Sequence, residues 1–376
     1  MGWFEATLLA LTAGSTLIQL WFWGYLFGHL GRYRYPPDPE EEPEGPGVSL
    51  IICARNEAKN LKKNLPRILN QTYRSLEIII VNDASTDNSL EVLLDFKKKN
   101  PKLRLIHTGR KFTAGKKAAL TLGINSAFHE VILLTDADCT PAGPKWVTGM
   151  VRALTTSTDI VLGYSPYLQS SSFLNRFIRF ETSYIATQYF SFALAGIPYM
   201  GVGRNLLYRR RLFFETGGFQ QHLHLATGDD DLFINEAARS SNTSVILSPQ
   251  TFTYSIPKSN WRAYYYQKRR HLRAGTHYRP AHQLALGLLS ASHLGHYLST
   301  IVLMIAFQMY TLPALFTFSV RYLVVCWQYR RILRLLRDPS LLPWIPLLDA
   351  LYTLHYLVFA PVLFNTGQSR QEKWKQ

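Results

Sequence analysis

The chain has 376 residues, more than one typical domain, and its 41 Lys+Arg against 25 Asp+Glu give a formal net charge of +16. That balance favours a membrane surface or a phosphate-bearing partner. The three cysteines, Cys53, Cys139 and Cys326, lie far apart without CxxC or Cys/His zinc spacing, which excludes a disulfide framework and a structural zinc site and fits a reducing compartment.

Residues 4–30 are almost free of charge, with Glu5 at the start and Trp21, Phe22, Trp23 and Tyr25 near the far end, long enough to cross a bilayer. No Lys or Arg precedes Arg32, so the basic n-region of a cleaved signal peptide is missing and the segment reads as an uncleaved anchor. Arg32 and Arg34 place that flank in the cytoplasm by the positive-inside rule, with the N-terminus outside. Residues 36–47, Pro-Pro-Asp-Pro-Glu-Glu-Glu-Pro-Glu-Gly-Pro-Gly, form a linker that cannot build a core.

Strand, turn and helix then alternate. Residues 48–53 predict a buried strand, and Asn56 can N-cap a helix bearing Leu61, Leu65, Ile68 and Leu69, although Pro66 interrupts it. Residues 76–81 predict a second strand, 82–87 a turn, 103–107 a third strand, and 108–115 a glycine-containing loop leading into a helix over 116–127. Residues 131–141, Val-Ile-Leu-Leu-Thr-Asp-Ala-Asp-Cys-Thr-Pro, read as a buried parallel strand that stops at two carboxylates, and ligands of open α/β sheets sit at such strand ends. In extended backbone Asp136 and Asp138 share one face, a hard anionic pair suited to Mg²⁺ or Mn²⁺; a plain Asp-rich turn is the competing reading. The alternation predicts an α/β class with a mostly parallel open sheet.

Residues 160–163 could be a further strand, and the aromatic stretch 173–195, with Arg176, Arg179 and Glu181, fits a core helix or an interfacial one. Residues 284–307, 312–327 and 341–364 are again membrane-like, the last carrying Pro343, Pro346, Asp349 and Pro361. Arg330, Arg331, Arg334 and Arg337 between the second and third put that connection inside. The expected organisation is an anchor over 1–31, a linker over 32–47, a cytoplasmic α/β domain over 48–281 with possible interfacial helices at 173–195 and 261–279, a membrane region over 282–366 and a polar tail over 367–376 holding Arg370, Lys373 and Lys375.

Thr227-Gly228-Asp229-Asp230-Asp231-Leu232 precedes a helical pattern; three adjacent carboxylates repel unless something binds or a proton is held, so one is a candidate general base, while helix capping is the structural alternative. Gln267-Lys268-Arg269-Arg270-His271 lies in a basic, aromatic segment whose guanidiniums suit a diphosphate, or equally an anionic lipid surface. Residues 109–116 lack P-loop spacing, Gly201-Val202-Gly203 lacks a dinucleotide context, and His222 and His224 receive no role.

Residues 48–271 resemble the family 2 inverting glycosyltransferases, particularly membrane-embedded members related to cellulose and hyaluronan synthases and ceramide glucosyltransferases. Ala54-Arg55-Asn56-Glu57 resembles the family's opening motif, and Asn82-Asp83-Ala84-Ser85-Thr86-Asp87 the Asp-x-Ser-x-Asp motif whose first aspartate binds the base. Gly115-Lys116 resembles the Gly-Lys helix start beside the diphosphate, Asp136-Ala137-Asp138 the Asp-x-Asp metal motif, and residues 201–209 the Gly-x-x-x-Asn-x-x-Tyr-Arg segment. Gly228-Asp229-Asp230 resembles the motif whose final aspartate is the base, which implies Asp230; a register ending at Leu232 selects Asp229 instead. Gln267 to Arg270 resembles Gln-x-x-Arg-Trp except that His271 replaces the tryptophan, a departure that counts against polymer synthesis.

The resemblance implies a GT-A-like fold and an inverting transfer from a UDP- or GDP-sugar, with Ala54, Asn56, Glu57, Asp83, Lys116, Asp136, Gln267, Arg269 and Arg270 around the donor. It also implies Mg²⁺ or Mn²⁺ on Asp138 and Asp136, and Asp230 or Asp229 as base. The expected acceptor is a lipid or glycan at the inner membrane, with no nucleic-acid partner. A polysaccharide synthase subunit, a silent membrane scaffold and a nucleotidyltransferase are the competing readings in that order.

Overall fold

The computed structural model describes residues 2–36, 45–109, 115–225 and 227–364. The expected linker over 36–47, the loop over 108–115 and the tail over 367–376 therefore lie largely or wholly outside the described residues.

The chain begins with helix α1 (Trp3–Leu20), which runs through a widened π turn (Trp21–Leu26) into α2 (Phe27–Arg32). The α/β part follows as β1 (Val48–Ala54), α3 (Ala58–Leu69), β2 (Leu76–Asp83), α4 (Ser89–Lys99), β3 (Leu103–Thr108), α5 (Lys116–Asn125), β4 (Val131–Asp136), β5 (Cys139–Pro141), α6 (Trp146–Arg152) and β6 (Ile160–Gly163). Then come α7 (Phe173–Leu194), β7 (Leu206–Arg209), α8 (Arg210–Glu215), α9 (Asp231–Ala237), β8 (Thr243–Ile246), β9 (Thr253–Ser255) and α10 (Trp261–Gly275). Helices α11 (Pro280–Ala306), α12 (Thr311–Leu335) and α13 (Ile345–Phe364) complete the described chain.

Seven strands make one sheet in the order β3-β2-β1-β4-β7-β6-β8, parallel except where β7 runs against β4 and β6. Its central strands are apolar on both faces because both are covered. Ile51, Cys53, Ile79, Val81, Ile132 and Leu134 enter one core, whereas Leu50, Ile52, Ile78, Ile80, Val131 and Leu133 enter the other. The first core does not stop at the sheet. It continues through Phe177, Phe180 and Tyr184 of α7 to Trp23, Tyr329 and Leu348 of the apolar helices. Helix α5 lies close on that face: a Cβ at Gly123 would stand 2.7 Å from Ile51 Cγ2, so only glycine permits the approach.

Parallel register brings three strand ends level, pairing Ala54 with Asn82 and Cys53 with Asp136. Among the described residues, four helices are long and apolar enough to cross a membrane: Trp3–Arg32, Pro280–Ala306, Gln308–Leu335 and Pro339–Val362. Helix α7, open to two readings from sequence, is buried along most of its length, and it packs against α2, β8 and α13.

The structure corrects several local expectations. Glu57, not Asn56, caps α3; Asn56 takes a left-handed φ of 54° and its Oδ1 accepts the Thr86 N–H at 2.8 Å. Helix α5 ends at Asn125, short of the expected 127. Ala137 and Asp138 form a turn between β4 and β5 rather than continuing the strand, since pairing of β5 with β9 requires a change of direction there. Arg330, Arg331 and Arg334 ride on the last turns of α12 rather than in a loop.

Candidate active site

The loops after β1 and β2 are stitched together by the short polar side chains both carry. The Asn56 N–H donates to Ser85 Oγ at 3.0 Å, the Glu57 N–H to Ser89 Oγ at 2.8 Å, and the Ala58 N–H to Asp87 Oδ2 at 3.1 Å. Asp87 accordingly titrates below the ordinary carboxylate range: burial opposes ionisation, but donation from Ser89 and Ala58 outweighs it. Asp83 at the end of β2 is fully buried and faces Arg55, whose Nη1 lies 3.4 Å from Asp83 Oδ2. Ala54 is likewise buried.

Next to these loops, Lys116 at the first turn of α5 bridges two carboxylates, Asp136 Oδ1 at 2.9 Å and Asp229 Oδ2 at 2.8 Å. The three line one crevice with the Gly203 backbone, over a floor of Ile51, Cys53, Leu120 and Leu134. Burial alone would lower the Lys116 pKa, yet Asp136, Asp229 and Asp230 hold it well above its ordinary value. Burial would raise Asp229, and the Lys116 charge beside it keeps it below the usual range.

Its neighbours differ. Asp230 Oδ1 accepts the Asp231 N–H at 2.8 Å and caps α9, its Oδ2 accepts the Gly203 N–H at 2.7 Å, and burial followed by Asp229 raises its pKa. Asp231 accepts the Tyr278 hydroxyl at 2.8 Å and is pushed up to about 8 by burial and by Asp230. Gly228, at φ +90°, makes the turn that separates these three directions. The surroundings therefore favour the ionised form of Asp229 and the protonated form of Asp231.

Across the crevice, Asp136, Asp138 and Cys139 offer ligand atoms within 4.8 Å of one another. The two carboxylates suit a hard divalent cation. Cys139 does not: burial pushes its thiol up to about 12, and its Sγ lies 3.0 Å from Ser255 Oγ. Burial and the charge of Asp136 raise Asp138, a repulsion that a cation would relieve.

Helix α10 forms the rim. Gln267 Nε2 donates to the Tyr167 hydroxyl at 3.4 Å, Tyr167 carries the Arg204 guanidinium 4.5 Å above its ring, and Thr227, two residues before Asp229, donates to the Arg270 carbonyl at 3.4 Å. Arg269 stands 6.0 Å from the Tyr266 ring. Lys116, Asp136, Asp138 and Asp229 thus converge, while Asn56, Glu57 and Asp83 make the neighbouring loop wall, Asp230 turns into the backbone, and Gln267, Arg269 and Arg270 lie on the rim helix. Sequence reasoning passed over Arg204 and Tyr167 as individuals. Arg204 sits in the 201–209 segment, and its Nη1 is buried without a hydrogen-bond partner beside the Asp138 cluster; its place in that segment was the one signal the sequence offered.

A model of the glycosyl transferase family 2 domain matches residues 49–217. The chain carries a family 2 glycosyltransferase domain. An uncharacterized glycosyltransferase of Haemophilus influenzae is 31% identical over 144 residues, 38% of this chain and 42% of that protein. The poly-β-1,6-N-acetyl-D-glucosamine synthase of Staphylococcus epidermidis is 35% identical over 98 residues, 26% and 23%. The probable glycosyltransferase YdaM of Bacillus subtilis is 28% identical over 245 residues, 61% and 56%. These alignments span less than two thirds of each relative. The fold is shared further: a mannosyltransferase of Pyrobaculum calidifontis, solved with GDP-mannose and Mn²⁺, superposes at a TM-score of 0.61 with 19% identity, covering 93% of this chain and 98% of its own. The family 2 domain therefore has a GT-A-like fold, as the resemblance implied.

Proposed function

We propose that the chain transfers a sugar from a nucleoside diphosphate sugar to the hydroxyl of an acceptor presented at a membrane, inverting the anomeric configuration. The observation that carries this reading is the Lys116 bridge between Asp136 and Asp229, which joins a diphosphate-side strand end to an ionised carboxylate in one crevice. Asp229 is the base: its pKa is lowered, so it stands ready to accept the acceptor proton, and it faces the crevice that Asp230 turns away from. Asp230 holds the N-terminus of α9 and thereby aims Asp229. Lys116, held cationic, offers its ammonium to the donor phosphates. Arg270 and Arg269 on the rim helix bring further positive charge, and Asp83, under Arg55, supports the loop wall against which the base of the nucleotide would lie. Asp136 and Asp138 would hold Mg²⁺ or Mn²⁺, and a cation there supplies charge neutralisation to the departing diphosphate.

The membrane setting rests on the four apolar helices and on the basic residues Arg32, Arg34, Arg330, Arg331 and Arg334 at helix ends, which favour a cytoplasmic domain. The acceptor is then a lipid-linked hydroxyl. The likeness to a poly-N-acetylglucosamine synthase favours glycan extension as the second reading.

The test is a screen of UDP- and GDP-sugars with the full chain in detergent, followed by kinetics of two variants. Asp229→Asn should lower kcat by about 10²–10⁴-fold with donor affinity retained, whereas Asp230→Asn should keep transfer and lose about 1 kcal/mol of stability as a weakened cap. The opposite pattern returns the base to Asp230. Label partitioning into an aqueous polymer rather than the organic phase would favour glycan extension.

A further inference from the structure

A cavity of about 420 Å³ lies apart from the carboxylate crevice. It lies where the family 2 domain meets the connection between the last two apolar helices. One wall is Ser170 and Ser171, just before α7, with Arg176 and Arg179 on its first turns; the other is Ser340 and Trp344, in the 3-10 segment (Pro339–Trp344) that leads into α13. The volume falls within the roughly 300–1,000 Å³ of small-ligand sites.

The two arginines are used differently. Arg179 is 4% exposed and spoken for: its Nε donates to Asp338 Oδ2 at 2.9 Å, its Nη2 to Asp338 Oδ1 and to Ser340 Oγ at 2.6 Å. It fixes the 3-10 segment to α7. Arg176 stacks its guanidinium 4.6 Å over the Trp344 ring and has no carboxylate partner among the described residues. Stacking occupies the face of a guanidinium and leaves its N–H edge free in the plane, the geometry that a phosphate accepts in bidentate fashion.

Charge points the same way. Two guanidiniums against the single carboxylate of Asp338 leave one net positive charge. The cavity also opens at the N-terminus of a 22-residue helix, α7, whose partial positive charge favours an anion. Ser170, Ser171 and Ser340 add hydroxyl donors. Depth sets the kind of anion: Trp344 lies within the candidate span Pro339–Val362, near its start, where an amphipathic ring belongs at headgroup level.

We propose that this cavity is a phosphate-ester site, separate from the donor crevice, that holds the phosphate of an anionic membrane lipid headgroup and so seats the domain on the membrane. Arg176 binds the phosphate, Ser171 adds a hydroxyl, and Arg179 positions the floor. The same chemistry could take free phosphate, and the experiment separates the two sources.

Native mass spectrometry of the full chain in detergent would follow retention of dioleoylphosphatidate, dioleoylphosphatidylcholine and inorganic phosphate. Retention of one phosphatidate per chain is expected, with phosphatidylcholine and inorganic phosphate both much weaker. Arg176→Gln and Ser171→Asp should each weaken phosphatidate binding at least tenfold. The second keeps the fold, because an acid ahead of a helix N-terminus is favourable, while its charge repels the ligand. Arg330→Gln, on the exposed flank of α12, should change nothing, which separates a site from general attraction to a basic surface. Equal retention of phosphatidylcholine, phosphatidate binding unchanged in both cavity variants, or an equal loss in Arg330→Gln would overturn the proposal. Arg176-dependent binding of inorganic phosphate without phosphatidate would overturn the lipid source.

Discussion

Asp136 and Asp138 illustrate how a residue pair can satisfy two readings at once. The segment is a turn, as its Asp-Ala-Asp-Cys-Thr-Pro composition allows, and the turn is what gathers the two carboxylates with Cys139 inside 4.8 Å. Period-two alternation in a strand singled out this pair on a geometry the structure does not use. If the pair holds a cation, a chelator should abolish transfer and Mn²⁺ restore it, and Asp138→Asn should raise the Mn²⁺ concentration for half activity at least tenfold. Full activity of metal-free enzyme would exclude the assignment. Asn205 shows the converse limit. The motif reading marked it without a role, whereas its amide is fully buried and sewn to the Tyr164 and Thr251 carbonyls and the Trp146 indole at 2.8, 2.7 and 3.0 Å. Its place is structural, and no local pattern distinguishes that from ligand contact.

Among elements, α7 is the one whose role depended most on its neighbours. Glu181 on α7 is 1% exposed and accepts from the Tyr264 hydroxyl at 2.8 Å and Lys268 Nζ at 2.9 Å, both on α10, while His355 Nε2 of α13 stands 3.2 Å away. One carboxylate thus ties the helix bearing Gln267, Arg269 and Arg270 to a membrane-type helix. Burial would raise the Glu181 pKa, but Lys268 first and then His355 push it down to about 2. A folded value below the unfolded one of about 4.3 means the contribution is complete above that pH and fades as pH falls towards about 2. Glu181→Gln should therefore cost about 3–5 kcal/mol at neutral pH, as expected when one partner of a buried pair is removed. It should also flatten the loss of thermal stability between pH 5 and 3 in detergent. An unchanged acid profile would show that the junction is not electrostatic. The aromatic periodicity of 173–195 was legible as a helix, but its partners were not, because a stripe of Phe and Tyr suits a protein core and a membrane interface equally.

At the scale of the whole molecule, the apolar helices hold a buried polar network that their mean hydropathy conceals. Arg321 of α12 pairs with Asp349 of α13 at 2.6 Å and donates to Gln19 Oε1 of α1 at 3.1 Å, and Tyr297 of α11 donates to Asp349 at 2.8 Å. All four candidate spans thus meet at one ion pair. Charge inside such a bundle is expensive unless paired. Arg321→Met should lower the thermal midpoint strongly by leaving Asp349 unpaired, and Arg321→Met with Asp349→Leu should recover most of it. Failure of the double variant to recover would argue that the pair has a use beyond stability.

The sequence by itself determined the strand and helix alternation and the apolar segments at both ends, which follow from local composition and periodicity that a single chain displays directly. The likeness to a family, and the acidic and basic residues it singles out, came from short motifs in a fixed order. Tertiary structure alone decided which member of Asp229-Asp230-Asp231 faces the crevice and that Asp83 lies buried under Arg55. It also decided that a cavity of about 420 Å³ opens between α7 and the helix connection. Neighbouring aspartates have the same local propensities; what separates them is the left-handed turn at Gly228 and the partners, Lys116, the Gly203 N–H and Tyr278, that distant segments bring to each.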